Sequence, residues 1–201
     1  ITKEGVEIAP YHFINVAKKT KLYPNIIKIV IQDSFKLIKN KNKRVSVNIS
    51  FDDIANEETT AFIYDILEKN KEYTKFLEFE ILESEEISDF NEVSKFIAEI
   101  KKFDCIVGVD DFGAGYSNFN LLTLLDIDFV KIDGSLIEKI NTSKDLEIIV
   151  NTIANFSKEF KVKTVAEYVS NEDIYNKIKE LNIDYCQGYY FDRPLSYDNI
   201  K

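Results

Sequence analysis

Strand-period and helix-period segments alternate along almost the whole of this chain, and that alternation restricts the fold more than any single motif. RVSVNIS (44–50) and KFLEFEIL (75–82) alternate apolar and polar residues, and CIVGVD (105–110) is an apolar run that ends in acid. FVKID (129–133), VKTVAE (162–167) and DYCQGYYF (184–191) complete six strand-like segments. Helix-period segments precede and separate them at 11–22, 24–40 (with Pro24 near its start), 57–70, about 90–102, 120–127, about 143–160 and about 171–181. Alternating β and α segments predict a parallel sheet, either open or closed into a barrel. No short repeat, low-complexity linker or internal boundary divides the 201 residues, so a single domain over 1–201 is expected.

The strand ends choose between the two architectures. Asn48, Glu80, Asp110, Lys131, Glu167 and Gln187 each stand near the C-terminal end of a different strand segment, the edge where both architectures place their sites. An open sheet concentrates polar groups at one switch point. Here all six segments contribute, which points to convergence around a ring. Period two puts Ser46 with Asn48, Glu78 with Glu80, Phe129 with Lys131 and Val165 with Glu167 on one face of each strand. An eight-stranded barrel needs two more strands, and no candidate precedes residue 11. The expectation is a (β/α)8 barrel whose first two strands are missing from this chain and lie upstream. The sequence contains no methionine, which also suggests a piece of a longer protein.

Charge narrows the partners. The formal net charge of −9 argues against a broad nucleic-acid or anionic-membrane surface, because phosphate backbones are held by Lys and Arg. A phosphorylated small molecule remains compatible if a metal ion supplies positive charge locally. No apolar run reaches the roughly 18 residues of a membrane span, and the opening ITKEGVEIAP has no apolar core of a signal peptide. Cys105 and Cys186 are expected to be free thiols in a reducing compartment. His12, the sole histidine, lies on an early helix segment and reads as structural, so a His/Cys zinc site is not expected.

The chemistry centres on VDDFGAGYS (109–117). Two adjacent carboxylates, Asp110 and Asp111, close an apolar strand and are followed by Gly113 and Gly115. Such a pair either opens a turn and caps a helix, or is held together by a hard divalent cation of the Mg2+ or Mn2+ kind, which favours oxygen ligands. Glu80 lies inside an apolar alternation, where a carboxylate needs a partner or a metal. Asn48 offers an amide oxygen to the same kind of shell. Lys131 can pair with a neighbouring acid or orient a water. Glu167 and Gln187 carry the same two readings. The acidic run that includes Glu83, Glu85 and Glu86 reads as a solvated strand end, with Glu83 a further candidate.

Taken together these motifs resemble the EAL domains, the cyclic di-GMP-specific phosphodiesterases. IAPYHFINVAKKTKL resembles the family's P..FI..AE..GLI segment; VSVNIS resembles lsvNlS; FEILES resembles lEiTEs; VDDFGAGYSNF resembles lDDFGtGySsl. FVKIDGSLI resembles ikiDrsfi, VAEYVS resembles vaEGVE, and CQGYYFDRPL resembles QGyyfgkPl. The resemblance implies a modified TIM barrel with one antiparallel strand, and hydrolysis of cyclic di-GMP to linear pGpG by a two-metal mechanism with Mg2+ or Mn2+. It implies that Asn48, Glu80 and Asp110 bind one metal, and that Asp110, Asp111 and Glu167 bind the second. Lys131 and Gln187 would orient the attacking water, and Glu83 would anchor the glycine-containing loop. It further implies a cytoplasmic bacterial signalling protein, cytoplasmic also where a parent is membrane-anchored, with regulatory or diguanylate-cyclase-like domains and a homodimer. The signature Glu-Ala-Leu segment is absent from this chain, EGVE is EYVS with Ser170 in place of the last Glu, and GTG is GAG. These departures motivate the alternative of a catalytically inactive domain that binds cyclic di-GMP or a protein partner as a sensor.

Overall fold

Among the described residues, six strands pair side by side in chain order, all of them parallel. The computed structural model describes residues 8–9, 12–18, 23–82, 90–115 and 119–200. Among these, the order is α1 (Ile14–Lys18), α2 (Tyr23–Lys41), β1 (Val45–Asn48), α3 (Phe51–Ala55), α4 (Glu57–Lys69), β2 (Leu77–Leu82), α5 (Phe90–Lys101) and β3 (Ile106–Phe112). There follow α6 (Asn120–Leu124), β4 (Phe129–Ile132), α7 (Gly134–Ile137), α8 (Lys144–Glu159), β5 (Lys163–Ala166), α9 (Glu172–Glu180) and β6 (Tyr185–Cys186). The strand order never reverses. Crossovers of one hand put the connecting helices, such as α2, α5 and α8, on one face, and the sheet curls with its other face inward. The result is a half-barrel of the (β/α)8 kind, as the strand-end pattern predicts.

Strand phase assigns the two faces. Phe79 packs edge-on against Phe96 of α5, with ring centroids 6.0 Å apart, so the odd-numbered residues of β2 look toward the helices. Leu77, Phe79, Ile81, Val107, Val109, Val130 and Ile132 lie on that side and are almost fully buried. Glu78 and Glu80 therefore face inward. Through the register they align with Ser46 and Asn48 on one side and with Ile106 and Gly108 on the other. Gly108 is needed here because the ring of Phe129 occupies the space a Cβ would fill, 2.2 Å from its position.

Local signals set the boundaries. Ser50 and Asp53 form a capping box that starts α3, and Asn56, Ser143 and Asn171 cap α4, α8 and α9. The short helices α3 and α7 lie where the sequence periodicity predicts none, because two turns or fewer carry no period and only their caps announce them. The strand expected over 184–191 is reduced to Tyr185–Cys186, and Gly188 breaks it. The segment expected over 11–22 is helical at Ile14–Lys18. Cys105 and Cys186 are both free, and burial, with Asp104 nearby, pushes the Cys105 thiol up to about 12.

One device recurs at the opposite rim from the strand C-termini. In Ile127-Asp128-Phe129, Asp128 accepts a hydrogen bond from the Val107 backbone N–H at 2.7 Å. In Ile183-Asp184-Tyr185, Asp184 accepts from the Thr164 N–H at 3.0 Å. Each aspartate enters its strand while holding the start of the strand before it, and so fixes register. Lys101 and Lys163 neutralise the two carboxylates at 2.7 and 2.6 Å.

Partial burial alone would raise the Asp184 carboxyl, but Lys163 and the Thr164 N–H and hydroxyl outweigh it and hold the group below the usual carboxylate range. Its stabilising contribution is thus present above the unfolded carboxylate value of about 4 and disappears as pH falls through the lower folded value. Asp184→Ala is expected to lower stability by about 1 kcal/mol at pH 7, water replacing part of the lost bonding at this accessible site. The difference from the unsubstituted protein should shrink toward zero in urea titrations carried out below that range.

Candidate active site

The C-terminal rim of the half-barrel gathers the residues singled out above. Lys131, 8% exposed, projects inward from β4 and donates to three carboxylates: Glu80 from β2 at 3.2 Å, Asp110 from β3 at 2.7 Å and Glu167 after β5 at 2.9 Å. Gln187, just beyond β6, donates through Nε2 to Glu167 Oε1 at 2.7 Å. Asn48 ends β1 in register with Glu80 and is exposed. Glu83 lies outside the described residues.

Asp110 and Asp111 raise a geometric question, because successive residues of a regular strand point to opposite faces. The register answers it. Val109 pairs with Val130 and Phe112 with Ile132, so two residues of β3 oppose Lys131 alone. This is a β-bulge, and within it Asp111 takes a φ of 54°, a region that Asp tolerates better than most residues. Both aspartates can therefore serve the same side. Carboxylate oxygens of Asp110, Asp111 and Glu167 lie within 4.8 Å of one another.

The electrostatics are unbalanced. Glu80, Asp110, Asp111 and Glu167 form a group of four carboxylates beside one ammonium. Burial pushes the Glu80 carboxyl up, and Lys131 only partly opposes it. Burial likewise raises Glu167. Asp111 is raised by burial, then by Asp110 and by Asp133. Burial pulls the Lys131 ammonium down, yet Glu80, Asp110 and Glu167 together outweigh it and hold the group well above its usual range. An all-oxygen cluster with surplus negative charge suits a hard divalent cation.

Asp133 is a neighbour that sequence reading missed. It caps α7 by accepting from the Ser135 N–H at 2.9 Å and also from the Ser135 hydroxyl, while its carboxyl meets that of Asp111. The signal was its phase, two residues after Lys131 at the end of the same strand segment. Gly188 supports the rim from below: with φ at 154°, a Cβ there would stand 2.2 Å from the Val169 carbonyl oxygen. Only glycine lets this segment close on Val169, whose N–H donates to the Gln187 carbonyl at 3.0 Å.

Comparison with known proteins places this geometry among relatives. The sequence model described as EAL domain matches residues 2–194. The chain is 31% identical over 195 residues to the cyclic di-GMP phosphodiesterase PdeA of Borreliella burgdorferi, covering 94% of this chain and 29% of that protein. It is 30% identical over 193 residues to the cyclic di-GMP phosphodiesterase PdeF of Escherichia coli, covering 93% of this chain and 26% of the relative. It thus spans less than a third of the length of these relatives. The crystal structure of an EAL domain protein from Listeria monocytogenes superposes with a TM-score of 0.84 at 31% identity, covering 96% of this chain and 78% of that one.

Removing the shared ammonium leaves the buried carboxylates facing one another. In EDTA at pH 7, Lys131→Met is expected to cost about 3–5 kcal/mol in urea unfolding, the penalty of breaking a buried ion pair from one side. The loss should be smaller at pH 5, where the carboxyls take up protons.

Proposed function

The chain belongs to the EAL-domain family, and from that membership and the carboxylate cluster around Lys131 we propose that it hydrolyses one phosphodiester bond of cyclic di-GMP to give linear pGpG. The observation that carries this reading is the approach of Asp110, Asp111 and Glu167 to within 4.8 Å on a rim shared with Glu80 and Lys131. Two divalent cations, Mg2+ or Mn2+, fit this donor set: Asp110, Asp111 and Glu167 would hold one, and Asp110, Glu80 and Asn48 the other. When bound, such ions would activate a water and offset the charge that develops on the phosphoryl oxygens. The chain's own residues prepare the geometry. Lys131 fixes three carboxylates through one ammonium and would orient a water beside them. Gln187 holds Glu167 in its rotamer through the Nε2 bond. Glu83 would anchor the loop that contains Gly113 and Gly115.

The domain is proposed to act within a larger cytoplasmic signalling protein, beside regulatory or diguanylate-cyclase-like domains, and as a homodimer. No described helix is long and apolar enough to cross a membrane. Ser170, which replaces the last Glu of the family pattern, favours a second reading, a sensor that binds cyclic di-GMP or a protein partner without turnover.

One assay separates the two. With Mg2+ or Mn2+, the purified protein is expected to convert cyclic di-GMP to pGpG, followed by chromatography. Asp110→Asn should reduce the rate by more than about 100-fold, since loss of even an outer partner of a metal ligand typically costs 10–100-fold. Binding of cyclic di-GMP without product, in folded protein, would establish the sensor instead.

Cation binding should also read out as stability. Glu80, Asp111 and Glu167 have folded values above their unfolded ones. Their contribution to stability is full below about pH 4 and is lost as pH rises through the raised folded values. Above that window the uncompensated charge is available to a cation. The rise in Tm produced by Mn2+ is expected to be larger at pH 8 than at pH 5.5, where protons compete for the same oxygens.

A further inference from the structure

Tyr168 is an outlier in conformation and in exposure. It follows Glu167 directly, has a φ of 53°, and is 62% exposed despite its size. A left-handed conformation costs an aromatic residue roughly 1 kcal/mol or more, and this one recovers little by burial. Its hydroxyl has no hydrogen-bond partner among the described residues. Such a residue is a candidate for function rather than for folding.

Its ring has a made-to-measure seat. A Cβ on Gly134 would stand 2.3 Å from Cδ2 and 2.6 Å from Cγ of Tyr168, so the ring lies directly on the Gly134 backbone. Both positions depart from the family pattern quoted above: Gly134 stands where that pattern has Arg, and Tyr168 where it has Gly. Gly134 follows Asp133, and Tyr168 follows Glu167, so the ring sits beside the carboxylate rim. It also lines a cavity of about 550 Å3 with Gln187, Gly188 and Tyr189, a volume within the range of small-molecule sites. Tyr189 is 65% exposed and is braced by the Arg193 guanidinium 5.3 Å from its centroid. Two aromatic faces thus flank one cavity, and Gln187 reaches from that cavity to Glu167.

We propose that Tyr168, seated on Gly134, is a stacking face for a purine base of the nucleotide whose phosphate lies at the carboxylate rim, and so determines affinity at this site. The proposal rests on the cyclic di-GMP reading for the identity of the ligand, but not on turnover. A ring with one face on backbone and the other open is already ordered before the base arrives, which lowers the entropy lost on binding. Aromatic stacking of one base typically contributes enough to change affinity by roughly 5- to 100-fold.

The test is calorimetry of the purified protein with cyclic di-GMP and with GMP, in Ca2+ and again in EDTA, alongside the hydrolysis assay. Tyr168→Gly suits the backbone conformation and removes only the ring. It is expected to weaken binding by roughly 5- to 100-fold, with KM rising and kcat little changed. Tyr168→Phe should bind as the unsubstituted protein does. Gly134→Ala should reproduce Tyr168→Gly by displacing the ring, and the double variant should be no weaker than either single one. Unchanged affinity in Tyr168→Gly, or an equal loss in Tyr168→Phe, would overturn the proposal. So would failure of the unsubstituted protein to bind either nucleotide in both conditions. Binding that depends on Tyr168 without any hydrolysis would leave the stacking role standing and defeat the hydrolase reading alone.

Discussion

Everything at the carboxylate rim depends on one ammonium serving three carboxylates. Lys131 reaches Glu80, Asp110 and Glu167, which come from three different strands or strand ends. The contact therefore ties β2, β3, β4 and the exit of β5 into one arrangement on the inner face. It is also incomplete as charge compensation, because Asp111 adds a further acid within reach. Burial raises the cost of that surplus in low dielectric. The fold holds in place a cluster that is electrostatically unfinished, and the unfinished part is what a divalent cation can complete.

The two rims divide the work. At the strand starts, Asp128 and Asp184 bind backbone N–H groups of the preceding strands and are neutralised by lysines. Their chemistry is closed, and they fix register. At the strand ends the acids have too few partners. The same residue type thus has its charge satisfied at one edge and left in surplus at the other, and the difference lies in whether backbone donors and lysines satisfy it.

Much of this was legible from sequence. Period two placed Glu80, Lys131 and Glu167 on one face, and the register bears that phase out through Glu78–Ile106, Gly108–Phe129 and Lys131–Val165. What could not be read is whatever departs from ideal period. The bulge at Asp110–Asp111 brings together two side chains that strict alternation would separate, and nothing in DDFG states it beforehand. Asp133 does not stand out in the sequence, because a capping aspartate and a site aspartate look alike in one dimension. The helices α3 and α7 are too short for a periodic signal. The contact between Tyr168 and Gly134 joins positions that are distant in sequence, and each looks like an isolated departure until the ring is seen on the glycine.

The left-handed backbone of Asp111 makes this position answer to two selections at once. The bulge asks for a residue that accepts positive φ, which in practice means Gly, Asn or Asp. The cluster asks for a carboxylate. Only Asp satisfies both, yet Asn satisfies the backbone fully and differs by a single group of similar size. A lineage that no longer needed the chemistry could thus shed it here in one step without disturbing the barrel, and hydrolytic silence in a well-folded domain of this architecture would be read first at that residue.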